Sequence, residues 1–271
     1  MVGCTDSLIY GIKASSGKVL WKVRDNAAIV SSPVILKGTA YVGGSGGNVY
    51  ALDVKSGKVL WKFSEVKGYI ETKPLIYKEK LIFGAWDNTL YALNLSDGSL
   101  AWSWSEGGKG ILYSPAAARP VGAYGKVFIV APDRVLSAID AETGKTLYRK
   151  EGMVLRESIG LGNRSTTIFG RAMRDTIWAV SSTSSEYKLQ WKSGLGYGFD
   201  INPSPLIEEG GILYIPTQDG LLYALDSKTG ERLWTHRVGL GLVNSPAVKE
   251  NKIYVSTIDG LVKCLEYKQD E

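Results

Sequence analysis

Histidine and cysteine are almost missing from this chain, and their scarcity is the first limit on its chemistry. His236 is the only histidine, and Cys4 and Cys264 are the only cysteines, among 271 residues. Structural zinc takes about four Cys or His ligands, so a Cys/His metal cluster is excluded by number alone. Long apolar runs are missing as well: none exceeds strand length, whereas a membrane-crossing helix needs about 20 residues. Helical periodicity is absent, so no glycine-rich loop opens a helix to cradle a phosphate. Gly43–Gly47 reads as a strand-connecting turn, and Gly43-Gly44-Ser45-Gly46 belongs to that turn rather than to a serine-nucleophile elbow. One-sided charge is also lacking. The net charge is +5, from 32 basic and 27 acidic residues interspersed along the chain. An excess this small over a large surface points away from a nucleic-acid partner.

What the chain has in quantity is repetition. The stretch Gly47–Phe63 reads as a strand, a Ser56-Gly57 turn and a second strand. Val49, Tyr50, Ala51 and Leu52 are apolar without alternation, which predicts a strand covered on both faces. The second strand recurs with Trp21, Trp61, Trp102, Tyr148, Trp191 and Trp234, at spacings of 40, 41, 46, 43 and 43. The first strand recurs seven times, from Leu8, Asn48, Thr89, Val135, Thr176, Leu221 and Leu261. A polar residue and a proline open most copies, at Pro33, Pro74, Pro115, Pro205 and Pro246, where a missing N–H costs a strand least. Four antiparallel strands per period, repeated without helices, predict an all-β fold: a single β-propeller over residues 1–271. Seven blades are preferred and six or eight stay open. The first copy lacks its innermost strand and the last ends after its third, so these two are expected to meet where the ring closes.

The repeat resembles the pyrroloquinoline-quinone-type (PQQ-like) propeller family, on Ala51, Asp53, Ser56-Gly57, Lys58 and Trp61. The same residues return at Ala138, Asp140, Thr143-Gly144 and Lys145, and at Ala224, Asp226, Thr229-Gly230 and Trp234. WD40 repeats fit poorly, because Trp86-Asp87 is the only such pair and no Gly-His accompanies it. The likeness is closer to the propeller of the outer-membrane assembly lipoproteins than to the quinoprotein dehydrogenases. In the latter, the resemblance implies a quinone held against adjacent cysteines with calcium. Cys4 and Cys264 are far apart in sequence, so no such cofactor is expected. The resemblance makes Trp21, Trp61, Trp102, Trp191 and Trp234 structural, bridging neighbouring blades, with the turn glycine supplying positive φ and the Asp capping the turn. If ring closure makes the first and last copies neighbours, Cys4 and Cys264 form either a disulfide clasp or two buried thiols in small-residue positions.

Two surfaces invite a functional reading. Seven of ten arginines fall between Arg119 and Arg174, and Arg119, Arg156, Arg164, Arg171 and Arg174 are read as a basic face across the most degenerate copy. Polar residues ahead of the inner strands (Ser32, Lys73, Ser114, Ser158, Asn202, Ser204, Asn244 and Ser245) are read as a channel-mouth ligand or partner face. The sequence reading is a monomeric, non-catalytic scaffold for a protein or peptide. The alternative is a small-molecule or quinone-dependent module at the channel mouth. Val2-Gly3-Cys4 is not read as a lipid anchor, because no apolar region precedes it and Cys4 sits in repeat register. With Met1 as the native start the protein is intracellular; as a trimmed chain it is extracytoplasmic, and the compartment stays open.

Overall fold

Strand-forming residues in seven successive groups give seven antiparallel sheets. The computed structural model describes residues 1–162, 164–199 and 205–266. Among these residues the first blade is β1 (Val2–Gly3), β2 (Leu8–Ile12) and β3 (Val19–Arg24). The second is β4 (Val34–Leu36), β5 (Thr39–Gly43), β6 (Val49–Asp53) and β7 (Val59–Phe63). The third is β8 (Leu75–Tyr77), β9 (Lys80–Ala85), β10 (Thr89–Asn94) and β11 (Leu100–Trp104). The fourth is β12 (Val121–Ala123), β13 (Lys126–Val130), β14 (Leu136–Asp140) and β15 (Thr146–Lys150). The fifth is β16 (Gly160–Leu161), β17 (Thr167–Arg171), β18 (Arg174–Ser181) and β19 (Leu189–Phe199). The sixth is β20 (Ile207–Glu209), β21 (Ile212–Pro216), β22 (Leu221–Asp226) and β23 (Arg232–Arg237). The seventh is β24 (Ala247–Lys249), β25 (Lys252–Ser256) and β26 (Val262–Glu266). The fold is therefore an all-β propeller of seven blades, with three strands in the first and last among the described residues. The chain divides into two compact units, Met1–Leu147 and Tyr148–Glu271.

The unbroken apolar runs behave as their composition dictates. Val49, Tyr50, Ala51 and Leu52 are all buried, as are Leu90, Tyr91, Ala92 and Leu93. In the first unit, Tyr41, Phe63, Phe83 and Tyr91 pack into one core, with Phe83 and Tyr91 stacked at 5.6 Å. In the second unit, Phe169, Trp191, Tyr197 and Tyr223 do the same. Each such side chain contributes about 1.5–3 kcal/mol by leaving water.

A repeated lock joins blade to blade, and it explains most of the repeat motif. The last two strands of a blade pair with a bulge that sets a small residue across from the tryptophan: Gly11 faces Trp21, Ala51 faces Trp61, Ala92 faces Trp102 and Ala179 faces Trp191. A Cβ at Gly11 would lie 2.1 Å from the Trp21 ring, so glycine holds this place in the first blade, while alanine holds it in the other three. Each indole N–H then donates to a backbone carbonyl of the next blade: Trp21 to Val54 at 3.0 Å, Trp61 to Leu95 at 2.9 Å, Trp102 to Ala141 at 3.0 Å and Trp191 to Ser227 at 3.1 Å. The ring lies on the next blade's turn glycine. A Cβ on Gly57, Gly98, Gly144 or Gly230 would stand 2.5–2.8 Å from that indole. These glycines also hold φ between 74° and 76°, a region side chains disfavour. Where Tyr148 replaces the tryptophan, the next turn loses its glycine and is two residues longer, closing from Ser181 to Lys188 instead of from Asp53 to Lys58. Tyr187 fills the space there, edge-on to Tyr148 at 6.4 Å. The two departures from the repeat are halves of one change.

The turn aspartates cap as the sequence implies. Asp53 accepts from the Ser56 hydroxyl at 2.6 Å and N–H at 2.8 Å; Asp140 does the same with Thr143, and Asp226 accepts from the Thr229 N–H at 2.8 Å. In the third blade Asn94 stands in the Asp place, and Asp97 accepts from the Ser99 N–H and hydroxyl instead. These bonds hold all four carboxyls below their ordinary 3.8. A depressed folded pKa stabilises the fold above the unfolded value and is lost as pH falls through the folded one. The urea midpoint is therefore expected to hold steady from pH 7 to pH 5 and to fall below about pH 4. Asn at all four positions should flatten that acid limb.

Two sequence expectations change. In the fourth blade Pro115 opens a 3-10 turn, Pro115–Ala117, not a strand; the inner strand starts at Val121. The cause is packing: Ala116 and Ala118 are buried, and Gly84 lies against the Pro115 carbonyl, where a Cβ would come within 2.1 Å. The glycine-rich stretch Gly194–Phe199 forms the second half of β19, with Arg174 paired across from Phe199. Cys4 and Cys264 are free thiols, Cys4 half-buried and Cys264 exposed, so neither the clasp nor the buried pair holds. Cys264 is open because β26 is the last strand of its sheet among the described residues.

Candidate functional site

The connections from an outer strand to the next inner strand form a continuous layer at one end of the first unit's blades. Backbone bonds stitch it together: Ile29 N–H to Cys4 O at 2.9 Å, Ser45 N–H to Ala28 O at 2.8 Å, and Trp86 N–H to Tyr69 O at 3.1 Å. Side chains pin it further. Asp87 accepts from the Lys67 N–H at 3.0 Å and the Tyr91 hydroxyl at 2.6 Å, and burial with that bond pushes the Tyr91 phenol far up. In the same way Tyr50 and Asn48 both donate to the buried Asp25, at 2.8 and 2.5 Å.

Held on this layer is an apolar cluster that water would not select. Ile111, Leu112 and Tyr113 form a 3-10 turn with 62%, 78% and 42% of their surfaces exposed. The turn is not loose: Ser114 N–H bonds to Ile111 O at 3.1 Å, while the buried Ser114 hydroxyl accepts the Asn88 N–H at 2.9 Å and Asn88 Nδ2 donates to Gly108 O at 2.8 Å. Two residues before Asn88, Trp86 stacks on exposed Tyr69 at 5.4 Å and 23°, and its indole N–H donates to Glu71 at 2.9 Å. Val30 is exposed on the preceding connection, and Lys73, Lys109 and Arg119 are exposed around the cluster's connections. An aromatic stack and three aliphatic or aromatic tips on a braced backbone present a preformed apolar contact surface.

Neither surface read from the sequence assembles as written. Ser32 and Lys73 are exposed, but Ser114 is fully buried and braces the layer instead of facing a ligand. Ser158 is half-buried. Ser245 donates to Pro205 O at 3.0 Å on the preceding connection, and Asn244 donates to the Ser256 hydroxyl at 3.0 Å at the end of β25, so both brace neighbouring backbone elements. Asn202 and Ser204 lie outside the described residues. Of the arginines, Arg119, Arg164 and Arg174 are exposed. Arg156 is 12% exposed beside Glu157 at 3.6 Å. Arg171 is 0% exposed: it donates to the Pro216 carbonyl and stacks over Tyr197 at 5.3 Å. A continuous basic face is thereby lost, because Arg171 is a core residue. Trp21, Trp61, Trp102 and Trp191 form the blade locks, and Trp234 lies across from Ala224 and against Tyr214 at 6.1 Å.

The residues missed by sequence reading are Ile111–Tyr113, Tyr69 and Trp86. Their signal was present: an apolar triplet directly after Gly107-Gly108-Lys109-Gly110, where a strand-free connection should be polar. Cys4 lies in the first blade and Cys264 in the last, and among the described residues no three His, Cys, Asp or Glu side chains are grouped so as to hold a metal ion.

Known proteins share this architecture. The structure is similar to BamB from Moraxella catarrhalis, with a TM-score of 0.75 at 18% identity, over 97% of this chain and 81% of that one. It is similar to the computationally designed Ika8 protein, with a TM-score of 0.81 at 19% identity, over 98% of this chain and 79% of that one. In sequence it is 24% identical over 130 residues to the outer membrane protein assembly factor BamB of Legionella pneumophila (strain Paris), 48% of this chain and 32% of that protein. A 66-residue stretch is 32% identical to the lanthanide-dependent methanol dehydrogenase of Methylacidiphilum fumariolicum (strain SolV), 23% of this chain and 11% of that enzyme. The chain thus spans a third or less of the curated relatives it matches. A family model matches residues 5–117 and 171–269 and breaks between them, across all four strands of the fourth blade and the start of the degenerate fifth. The chain belongs to the PQQ-like propeller repeat family described as outer membrane protein assembly factor BamB.

Proposed function

We propose that this protein is a non-catalytic scaffold that recognises a protein partner through the loop layer of its first unit, with Ile111–Tyr113 as the central contact. The observation that carries the reading is the exposure of Leu112, 78%, on a turn whose backbone is fixed on both sides. A solvent-facing apolar tip lowers solubility and offers no packing in the free protein, so its use lies in a complex. Fixing the turn beforehand removes ordering cost on binding. Tyr69 and Trp86 supply aromatic area of the type that dominates interface energetics. The family description and the Legionella relative's name both refer to assembly of other proteins, which favours a protein partner over a small substrate. No helix among the described residues is long and apolar enough to cross a membrane.

A photo-crosslinking amino acid tests this directly. Placed at Leu112 in the native host extract, it should give discrete protein adducts that fade when Tyr69 and Trp86 are replaced by alanine. Placed at Leu60, also exposed but on the outer strand β7, it should not. Equal labelling from both positions, or none from Leu112, would count against the loop layer as the binding face.

A further inference from the structure

The fifth blade departs from its neighbours at a second place, and there the second unit opens a cleft. In the second, third, fourth, sixth and seventh blades two residues join the first strand to the next: 37–38, 78–79, 124–125, 210–211 and 250–251. In the fifth blade the connection runs from 162 to 166 and carries Arg164. Gly162, Arg164 and Thr166 on this connection face the turns of the sixth blade across a cavity of about 540 Å³. That volume suits a small organic molecule, within the roughly 300–1,000 Å³ usual for ligand sites, and far exceeds a bare inorganic ion.

The walls carry recognisable chemistry. Arg164 stands on one side and Lys228 on the other, both exposed, and neither side-chain cation makes a hydrogen bond or ion pair with a described residue. Gln190 is oriented by the Thr167 hydroxyl, which donates to its Oε1 at 2.8 Å, so its amide nitrogen rather than its oxygen is left to meet a ligand. Glu208, the one acid in the lining, turns Oε1 back to its own blade, accepting from the Gly211 N–H at 3.0 Å and the Ser227 hydroxyl at 3.4 Å. Gly210 and Gly211 have nothing within 4 Å of where a Cβ would stand, so they leave that wall open. Two cations without a partner among the described residues and an amide donor around one cleft form an anion site; the guanidinium fork takes planar oxyanions in two parallel bonds.

We propose that this cleft binds a small polyvalent anion, its charged groups shared between Arg164 and Lys228 and its body contacting the Gln190 amide. The site is independent of the loop layer in the first unit. Citrate and pyrophosphate serve as probes for carboxylate and phosphate anions, titrated by calorimetry against sodium chloride at matched ionic strength. At least one should bind saturably with 1:1 stoichiometry and raise the melting temperature by mass action; preference for one names the class. Arg164→Gln with Lys228→Gln should weaken that binding more than tenfold, while Arg174→Gln, an exposed charge of the same blade outside the lining, should leave it unchanged. The proposal falls if neither probe binds above chloride. It also falls if the double variant binds as wild type does, or if Arg174→Gln weakens binding as much as the double variant.

Discussion

Replacing Trp102 by alanine is expected to lower the unfolding free energy by about 3–5 kcal/mol, measured by urea denaturation. The side chain is buried in the core of the first unit and donates to the Ala141 carbonyl at 3.0 Å. Its loss removes a large apolar surface and leaves that carbonyl without its donor, and the rigid turn beneath cannot collapse into the space. Gly144 supplies the sharper test. Gly144→Ala places a Cβ 2.8 Å from the Trp102 ring at φ 74°, and should cost about 1–3 kcal/mol. Part of that cost is the clash and part is backbone strain. Removing Trp102 relieves only the clash, so the double variant should be more stable than the sum of the singles predicts, by about 0.5 kcal/mol or more. Strict additivity would mean that tryptophan and glycine do not act as one lock. Tyr148→Trp belongs to the same logic: it enlarges a ring whose partner turn already holds Tyr187, and should destabilise.

Arg171→Ala should cost a similar amount, about 3–5 kcal/mol, although arginine is a surface residue by habit. The guanidinium is sealed between β17 and the sixth blade, donating to Pro216 O and lying over Tyr197, whose hydroxyl donates to Ala172 O at 3.2 Å and Thr176 O at 3.3 Å. Deleting it opens a void beside Tyr197 and strands the Pro216 carbonyl. Arg171→Lys should rescue only part, since an ammonium keeps the charge but not the planar stack. Arg171→Met should recover packing without the hydrogen bond. An effect within about 0.5 kcal/mol, the size usual for exposed substitutions, would contradict the burial.

These two sites show where sequence reading reached and where it stopped. The period was legible because blade packing demands the same residues every 40 to 46 positions, and Trp61 and its counterparts announced a bridge. That the glycine is the bridge's floor was not legible, since positive φ alone already accounts for a turn glycine. Arg171 read as part of a basic face because charge clustering in sequence carries no depth; only the pairing of β17 with β18 and the extension of β19 over it place it inside. Ser114 looked like a polar residue opening a strand, but Pro115 starts a 3-10 turn and the serine is drawn under Asn88. Ile111–Tyr113 went unread for the same reason, since an apolar triplet in a strand-rich sequence carries no mark of its exposure. Both proposed sites lie where the repeat is interrupted: the long connection into the fourth blade and the long connection between β16 and β17 in the fifth.

With the partner identified by crosslinking at Leu112, its affinity for the protein is the most direct test of that account. Ile111→Asp with Leu112→Asp places charge on both apolar tips and should weaken binding by about thirtyfold or more, as expected for central contact residues. Arg164→Gln with Lys228→Gln, in the other unit, should leave the affinity unchanged. An unaltered affinity in the first variant, with loss in the second, would contradict the loop layer as the site of recognition.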